Sequence, residues 1–182
     1  KIDGSYFSLP HFAWLKFIKS SAVRSASLQF PVGLYYEDWP FHWHLGLATN
    51  IKYHLPIDFY IYRQRCTSIT GSIYKKLLDL FVIHAEVISL VEDYQADEVK
   101  KTLANKIKQS HWSILTRIDN DYLAAAVAQA KKADKTLRIK GYKSDLTVRN
   151  MMISNIVRMP TQVALLMLQV LRQALGKRAR VK

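Results

Sequence analysis

The chain has 182 residues, 49% of them hydrophobic, enough for a sizeable core in one or two domains. A single cysteine, Cys66, excludes an intrachain disulfide, so the fold must stand on packing, and a reducing, cytoplasmic setting fits. The net charge of +13 is uneven: residues 1–72 carry 7 Lys/Arg against 4 Asp/Glu, residues 73–182 carry 20 against 10, and beyond Asp145 there are seven basic residues and no acid. That balance points to a polyanionic partner, either nucleic acid or an acidic membrane surface.

The chain opens on Lys1, which suggests a piece of a longer protein, and no signal peptide can be read in residues 1–9. Residues 11–22 predict a short helix, and residues 28–36 an extended stretch turning at Pro31–Gly33. Asp38 then suits the cap of a helix reaching about Asn50, with Pro40 tolerated in the first turn. In it Trp39, Trp43 and Leu47 form one row, and Phe41, Leu45 and Ala48 a second. Residues 51–65 are aromatic and β-branched, with Phe59, Ile61 and Arg63 alternating against Tyr60 and Tyr62, and predict a strand.

From about Ser72 the period becomes helical. Helices are expected over residues 73–94 and 98–118, and a third starting at the capping residues Asp119 and Asn120. The charged stretch 131–143 predicts a loop, and helices over 145–158 and 161–176 flank Pro160. The boundary falls near Ser72, between an α/β piece over 1–72 and an all-helical extension over 73–182, mostly helical overall.

The chemistry-bearing residues gather at GLYYEDWPF, residues 33–41. A helix N-terminus favours negative charge, so Asp38 is expected to stay ionised near neutrality. Side chains diverge on such a turn, so one of Glu37 and Asp38 can face a cleft while the other ties down the loop. A carboxylate beside Trp39 and Tyr36 suits a sugar, whose apolar faces stack on rings while acids take its hydroxyls. Arg63 and Arg65 flank Gln64 further on, and guanidinium forks suit diphosphate oxygens. The plain alternatives are an N-capping acid and solvated arginines. His42 and His44 stand two apart in a helix, where metal ligands want a spacing of three or four, so no metal is assigned to them. Cys66 has no base at a telling spacing and reads as a small packed residue.

Taken in order, these features resemble the C-terminal half of the catalytic domain in family 2 (GT-A type) glycosyltransferases. The matching residues are Trp14 with Lys16, Phe30-Pro31 with Gly33, Glu37-Asp38 with Phe41, Tyr60 and Tyr62-Arg63 with Arg65, and Ser68-Ile69, spanning about residues 12–72. The resemblance implies an incomplete GT-A-like α/β part and transfer of a sugar, with inversion, from a nucleotide-sugar donor to a glycan or lipid-linked acceptor in polysaccharide biosynthesis. Asp38 would be the general base. Glu37 would orient the loop or the acceptor, Trp39 would stack on the acceptor, and Arg63 and Arg65 would lie near the diphosphate. The family's Mn²⁺ or Mg²⁺ would be bound by an upstream half that precedes Lys1, so the chain alone is not expected to transfer sugar. Asp119-Asn120-Asp121 has the spelling of the family's metal motif but stands downstream at a helix start, and reads as a cap.

The last stretch is apolar almost all round from Val163 to Leu171 and too short to span a bilayer. Arg172, Lys177, Arg178, Arg180 and Lys182 follow. It fits either a helix lying on an acidic leaflet, placing the protein at the inner face of the cell membrane, or a core helix with a basic end. Two other functions compete with glycosyl transfer: a basic helical module binding nucleic acid, or one docking on an acidic surface without chemistry. The basic residues are spread among helices with no nucleic-acid motif, which makes nucleic acid the weaker partner.

Overall fold

The computed structural model describes residues 4–50, 52–57, 59–61, 63 and 75–179, with side chains in the last helix described as far as Gly176. Cys66, Tyr62, Arg65, Ser68-Ile69 and the boundary at Ser72 lie outside these residues. Among the described residues seven α-helices follow one another: α1 (Ser20–Ser25), α2 (Asp38–Ala48), α3 (Asp79–Glu92), α4 (Asp97–Arg117), α5 (Asn120–Ile139), α6 (Val148–Arg158) and α7 (Thr161–Ala179). Short 3-10 turns occupy Gly4–Ser8, Ala13–Leu15 and Lys75–Leu78.

The helix ends follow local chemistry. Asp119 accepts from the Asp121 N–H at 3.0 Å and starts α5, while Thr147 accepts from the Asn150 N–H at 3.2 Å and starts α6. Asp97 and Glu98 sit in the first turn of α4 and Arg117 in its last, each on the favourable side of the helix dipole. Past α5, Gly141 takes φ 73°, and the Tyr142 N–H returns to the Leu137 carbonyl at 2.8 Å, a glycine-terminated helix end. Pro160 cannot continue α6 and separates it from α7.

Two large apolar clusters form the core. One joins Leu80 and Phe81 of α3, Ile114 and Leu115 of α4, Ala126 and Val127 of α5, Ile153 and Val157 of α6, and Ala164 and Leu168 of α7. The other joins Tyr6, Phe7, Trp39 and Trp43 to Ile83 and Val87 of α3, and to Leu103 and Ile107 of α4. Each such aliphatic side chain contributes about 1.5–3 kcal/mol when fully buried. The two rows expected on α2 part company here. Trp39 and Trp43 enter the second cluster, whereas Phe41 and Leu45 close a small third one with Leu28. Gly46 lets the N-terminal turn lie on α2, since a Cβ there would meet the Phe7 and Tyr6 rings at 2.5 and 2.6 Å.

The expected fold class is corrected. No β-strand occurs among the described residues, so the α/β, GT-A-like part over 1–72 gives way to an all-helical architecture. The described part of 51–65 is not a strand because its alternating residues find neither a ladder partner nor a covered face. Tyr53 is 70% and Ile61 97% exposed. Its rings instead contact those of the N-terminal segment, Phe59 against Phe17 at 4.8 Å and Tyr60 against Trp14 at 6.2 Å. The helix expected over 11–22 shrinks to the turn Ala13–Leu15 and the short α1. The loop expected over 131–143 is helical to Ile139, because its charges line an amphipathic helix whose Ala130, Asp134 and Leu137 are buried.

Asp134 is the most consequential charge in that helix. Its carboxylate, almost wholly buried, receives Lys108 of α4 at 3.1 Å, Arg138 of its own helix at 3.2 Å and Arg158 of α6 at 3.0 Å. Burial pushes its pKa up, but the hydrogen bonds from Arg158 and Lys108 win and hold it below the usual carboxylate value. Lys108 also donates to the Ser154 hydroxyl, which in turn donates to the Asn150 carbonyl at 2.7 Å. Asp134→Ala leaves the Lys108 ammonium buried without a counter-charge and is expected to cost about 3–5 kcal/mol in denaturant unfolding. The paired change Asp134→Leu with Lys108→Met should recover most of that loss. A single alanine variant as stable as the parent would refute the lock.

Candidate functional site around Asp38

The acid pair stands where an irregular segment enters α2. The Tyr35 N–H donates to the Asp79 carboxylate at the start of α3, at 3.1 Å, which fixes the segment against the helical core. Gly33 takes φ 79°, at no cost for glycine, but Tyr36 takes φ 70°, a left-handed conformation that a residue with a Cβ adopts only under constraint. Tyr36 packs against both large clusters, which supplies that constraint. Its carbonyl then accepts from the Trp39 N–H at 3.1 Å, and the chain turns into α2.

Glu37 occupies the N-cap position with helical dihedrals and makes no side-chain cap bond, and Asp38 is the first helical residue. Asp38 is therefore not the capping side chain that the sequence suggests. Its carboxylate instead takes the Ala13 backbone N–H from the turn Ala13–Leu15. Burial pushes the Asp38 pKa up, the Ala13 N–H opposes this, Glu37 next door adds to the rise and Lys16 subtracts, and the net direction is upward. Desolvation thus works against the helix N-terminus that was expected to keep this group at its ordinary acidity.

Lys16 faces this carboxylate from the other side of the turn. Its ammonium donates to the Phe12 carbonyl at 2.7 Å and the Pro10 carbonyl at 3.2 Å. Burial brings its pKa down to about 8, with Asp38 opposing and Lys106 reinforcing the fall. Trp14 stacks on Phe12 at 4.6 Å and, with Tyr60, builds an aromatic edge beside the turn. Trp39 points elsewhere: it is buried, against His11 at 5.0 Å and His84 at 5.2 Å. Arg63 is exposed and Arg65 lies outside the described residues.

Two groups at this site escape sequence reasoning, His11 and Lys106. Lys106 comes from α4, ninety-odd positions away, and donates to the Ser8 and Leu9 carbonyls at 3.2 Å each. It also lines a polar groove of about 300 Å³ with Ser8, Thr102, Asn105, Gln109 and Asp145. Only the helical period of α4 hints that Lys106 belongs to its outer face. No group of three metal-ligating side chains occurs among the described residues, and the Mn²⁺ or Mg²⁺ of the sequence expectation is assigned to a half upstream of Lys1 and not to this site.

No family model matches the chain, and neither does any curated protein or any solved structure. With no strand among the described residues, the resemblance to family 2 glycosyltransferases is overturned as an identification. What remains of it is the set of residues just described, which stands on its own geometry.

Beneath the site lies a core rich in neutral imidazole. His42, His84 and His111 are buried, with Tyr6 stacked on His42 at 4.4 Å and His84 set 5.3 Å from His111. Burial depresses all of them: His42 to about 2, with Lys16, Lys106 and His11 adding to the fall; His111 to about 3, with Lys108 adding and Asp134 opposing; and His84 well below its ordinary value, with His111 adding. His11 is brought down to about 4 by burial and then by Lys106 and Lys16. A histidine depressed by folding binds its proton first in the unfolded chain, so its contribution is complete above about pH 6.5 and drains away as pH falls towards the folded values. Three buried histidines give a slope of about 4 kcal/mol per pH unit once the unfolded chain is fully protonated. Thermal midpoints should therefore drop steeply between pH 6.5 and about pH 5, and His84→Leu should flatten the drop. A midpoint level across that window would contradict the neutral core.

Proposed function

We propose that the turn around Asp38 is a carbohydrate site, and that Asp38 acts as general base in glycosyl transfer from a nucleotide sugar to a glycan or lipid-linked acceptor. One observation carries the reading. A half-buried carboxylate of raised proton affinity sits directly after a strained Tyr36, at a helix start, facing the Lys16 ammonium and not locked to it in an ion pair among those described. Backbone strain and desolvated acids both cluster at functional sites.

In this reading the acceptor hydroxyl gives its proton to the Asp38 carboxylate while its oxygen attacks the anomeric carbon of the donor. The bond from that carbon to the diphosphate oxygen breaks, and the leaving group takes the electron pair. A raised pKa brings the base nearer to working pH, where proton transfer is most effective. Lys16, its own pKa lowered to about 8, favours the ionised form of Asp38 that must accept the proton. Trp14 and Tyr60 offer the flat apolar edge on which a pyranose face stacks. The polar groove at Lys106 offers hydroxyl partners for further sugar units. Glu37 is left to orient the loop. The donor diphosphate would be held outside the described residues. A second reading, a helical module that docks on an acidic surface without chemistry, is favoured by the charge balance and by α7.

The test is made in the longest natural protein that contains this chain. Asp38→Asn should lower turnover by about 10²–10⁴-fold with the thermal midpoint preserved. Trp14→Ala should raise the acceptor KM and leave kcat nearly unchanged. Turnover near that of the parent in the asparagine variant would remove the base assignment.

A further inference from the structure

Helix α7 has one apolar stripe more than its fold uses. Ala164 and Leu168 are fully buried in the core, and Leu171 packs against the same cluster, so one face of the helix is accounted for. About a third of a turn around the cylinder runs a second row: Val163, Leu166, Met167 and Val170. All four are exposed, Leu166 by 61% and Val170 by 57%. Ala174 continues the row at the next turn, giving an apolar ridge about 16 Å long, at 1.5 Å per residue. In the sequence, Lys177 and Arg178 follow this row. No helix of the described residues is long and apolar enough to cross a membrane.

We infer that this ridge of α7 docks on an anionic lipid surface, lying flat with its apolar row in the acyl boundary and Lys177 and Arg178 among the headgroups. The charge selects this occupant. A second copy would bring one +13 chain against another. Nucleic acid would gain nothing from Leu166 and Val170, because phosphates are met by cations and not by methyl groups. An acidic leaflet satisfies both parts of the surface: apolar side chains leave water, and cations from a sequence with no acid beyond Asp145 meet lipid phosphates and carboxylates. The inference rests on α7 alone and is independent of the carbohydrate reading at Asp38.

Co-sedimentation of the full chain is measured with vesicles of phosphatidylcholine containing about a third phosphatidylglycerol, and with phosphatidylcholine alone. The chain should pellet with the anionic vesicles and stay in the supernatant with the neutral ones. Leu166→Ser with Val170→Ser, both at exposed positions, should weaken partitioning about tenfold or more while circular dichroism stays at the parent value, since each large apolar side chain removed from water is worth about a factor of ten. Lys177→Ala with Arg178→Ala provides a second variant that leaves the core untouched, and should weaken partitioning severalfold and reduce its salt dependence. Equal pelleting of parent and serine variant would overturn the inference. So would equal pelleting on neutral vesicles, or a dimer in solution that the serine variant dissolves while vesicles leave the parent unbound.

Discussion

The architecture hangs on one buried anion. Asp134 projects from a helix whose flanking residues are mostly basic, and draws cations from α4, α5 and α6 onto a single point. An apolar interface between helices tolerates sliding by a residue or a turn at modest cost. A carboxylate that must meet Lys108 and Arg158 together does not, because any slip strands a charge out of water. The register of α4 against α5 and α6 therefore follows from Asp134. Asn105, about one turn nearer the start of α4 than Lys108, extends the lock. It donates to the Asp145 carboxylate at 2.7 Å and accepts from the Asp145 N–H at 2.8 Å, tying down the entry to α6.

The same register sets the site. Lys106 follows Asn105 on α4 and reaches the Ser8 and Leu9 carbonyls, bringing the N-terminal segment over the second cluster. That segment supplies Ala13, Lys16 and Trp14 to the start of α2. From the opposite side, Asp79 at the start of α3 holds Tyr35 and so presents the strained Tyr36 and the two acids after it. Asp38 is thus positioned by two long-range polar ties to a rigid helical body, and its own helix contributes the remaining turn. Such an arrangement favours a site that is preformed over one that assembles around a ligand.

What the sequence makes legible follows from how local each signal is. The start of α5, the break at Pro160 and the two rows of α2 are written in neighbouring residues, and capping and period decide them, whereas α6 begins at Val148 behind the Thr147 cap, three residues later than the expected Asp145. The segment 51–65 misleads because alternation and β-branching describe a half-covered pleat, whereas its described part meets only isolated rings of the N-terminal segment and no neighbouring strand among the described residues. The stretch 131–143 misleads because dense charge is read as solvated loop. Here Asp134 is neutralised by partners on other helices, which local pattern cannot reveal. The acids of the site were visible as a motif, but His11 and Lys106 were not, since only the folded chain brings α4 to the turn around Lys16. The burial of Trp39 is a related case: period shows that it lines a helical face, not which face the core covers.

The excess of positive charge connects the fold to its surroundings. Like charges repel across the whole molecule, and burial that lowers the proton affinity of the core imidazoles keeps further positive charge out of the interior. Each proton added to the surface, or forced on the histidines, raises that repulsion. An anionic surface works in the other direction: it lowers the electrostatic energy of every cation within a Debye length, the flanks of α7 foremost. A contact that satisfies the apolar ridge would therefore also relieve the repulsion that the acid-free end of the chain creates. In the proposed docking, binding and folding stability would be coupled through the same charges, and anionic lipid should stabilise the helical body as well as bind it.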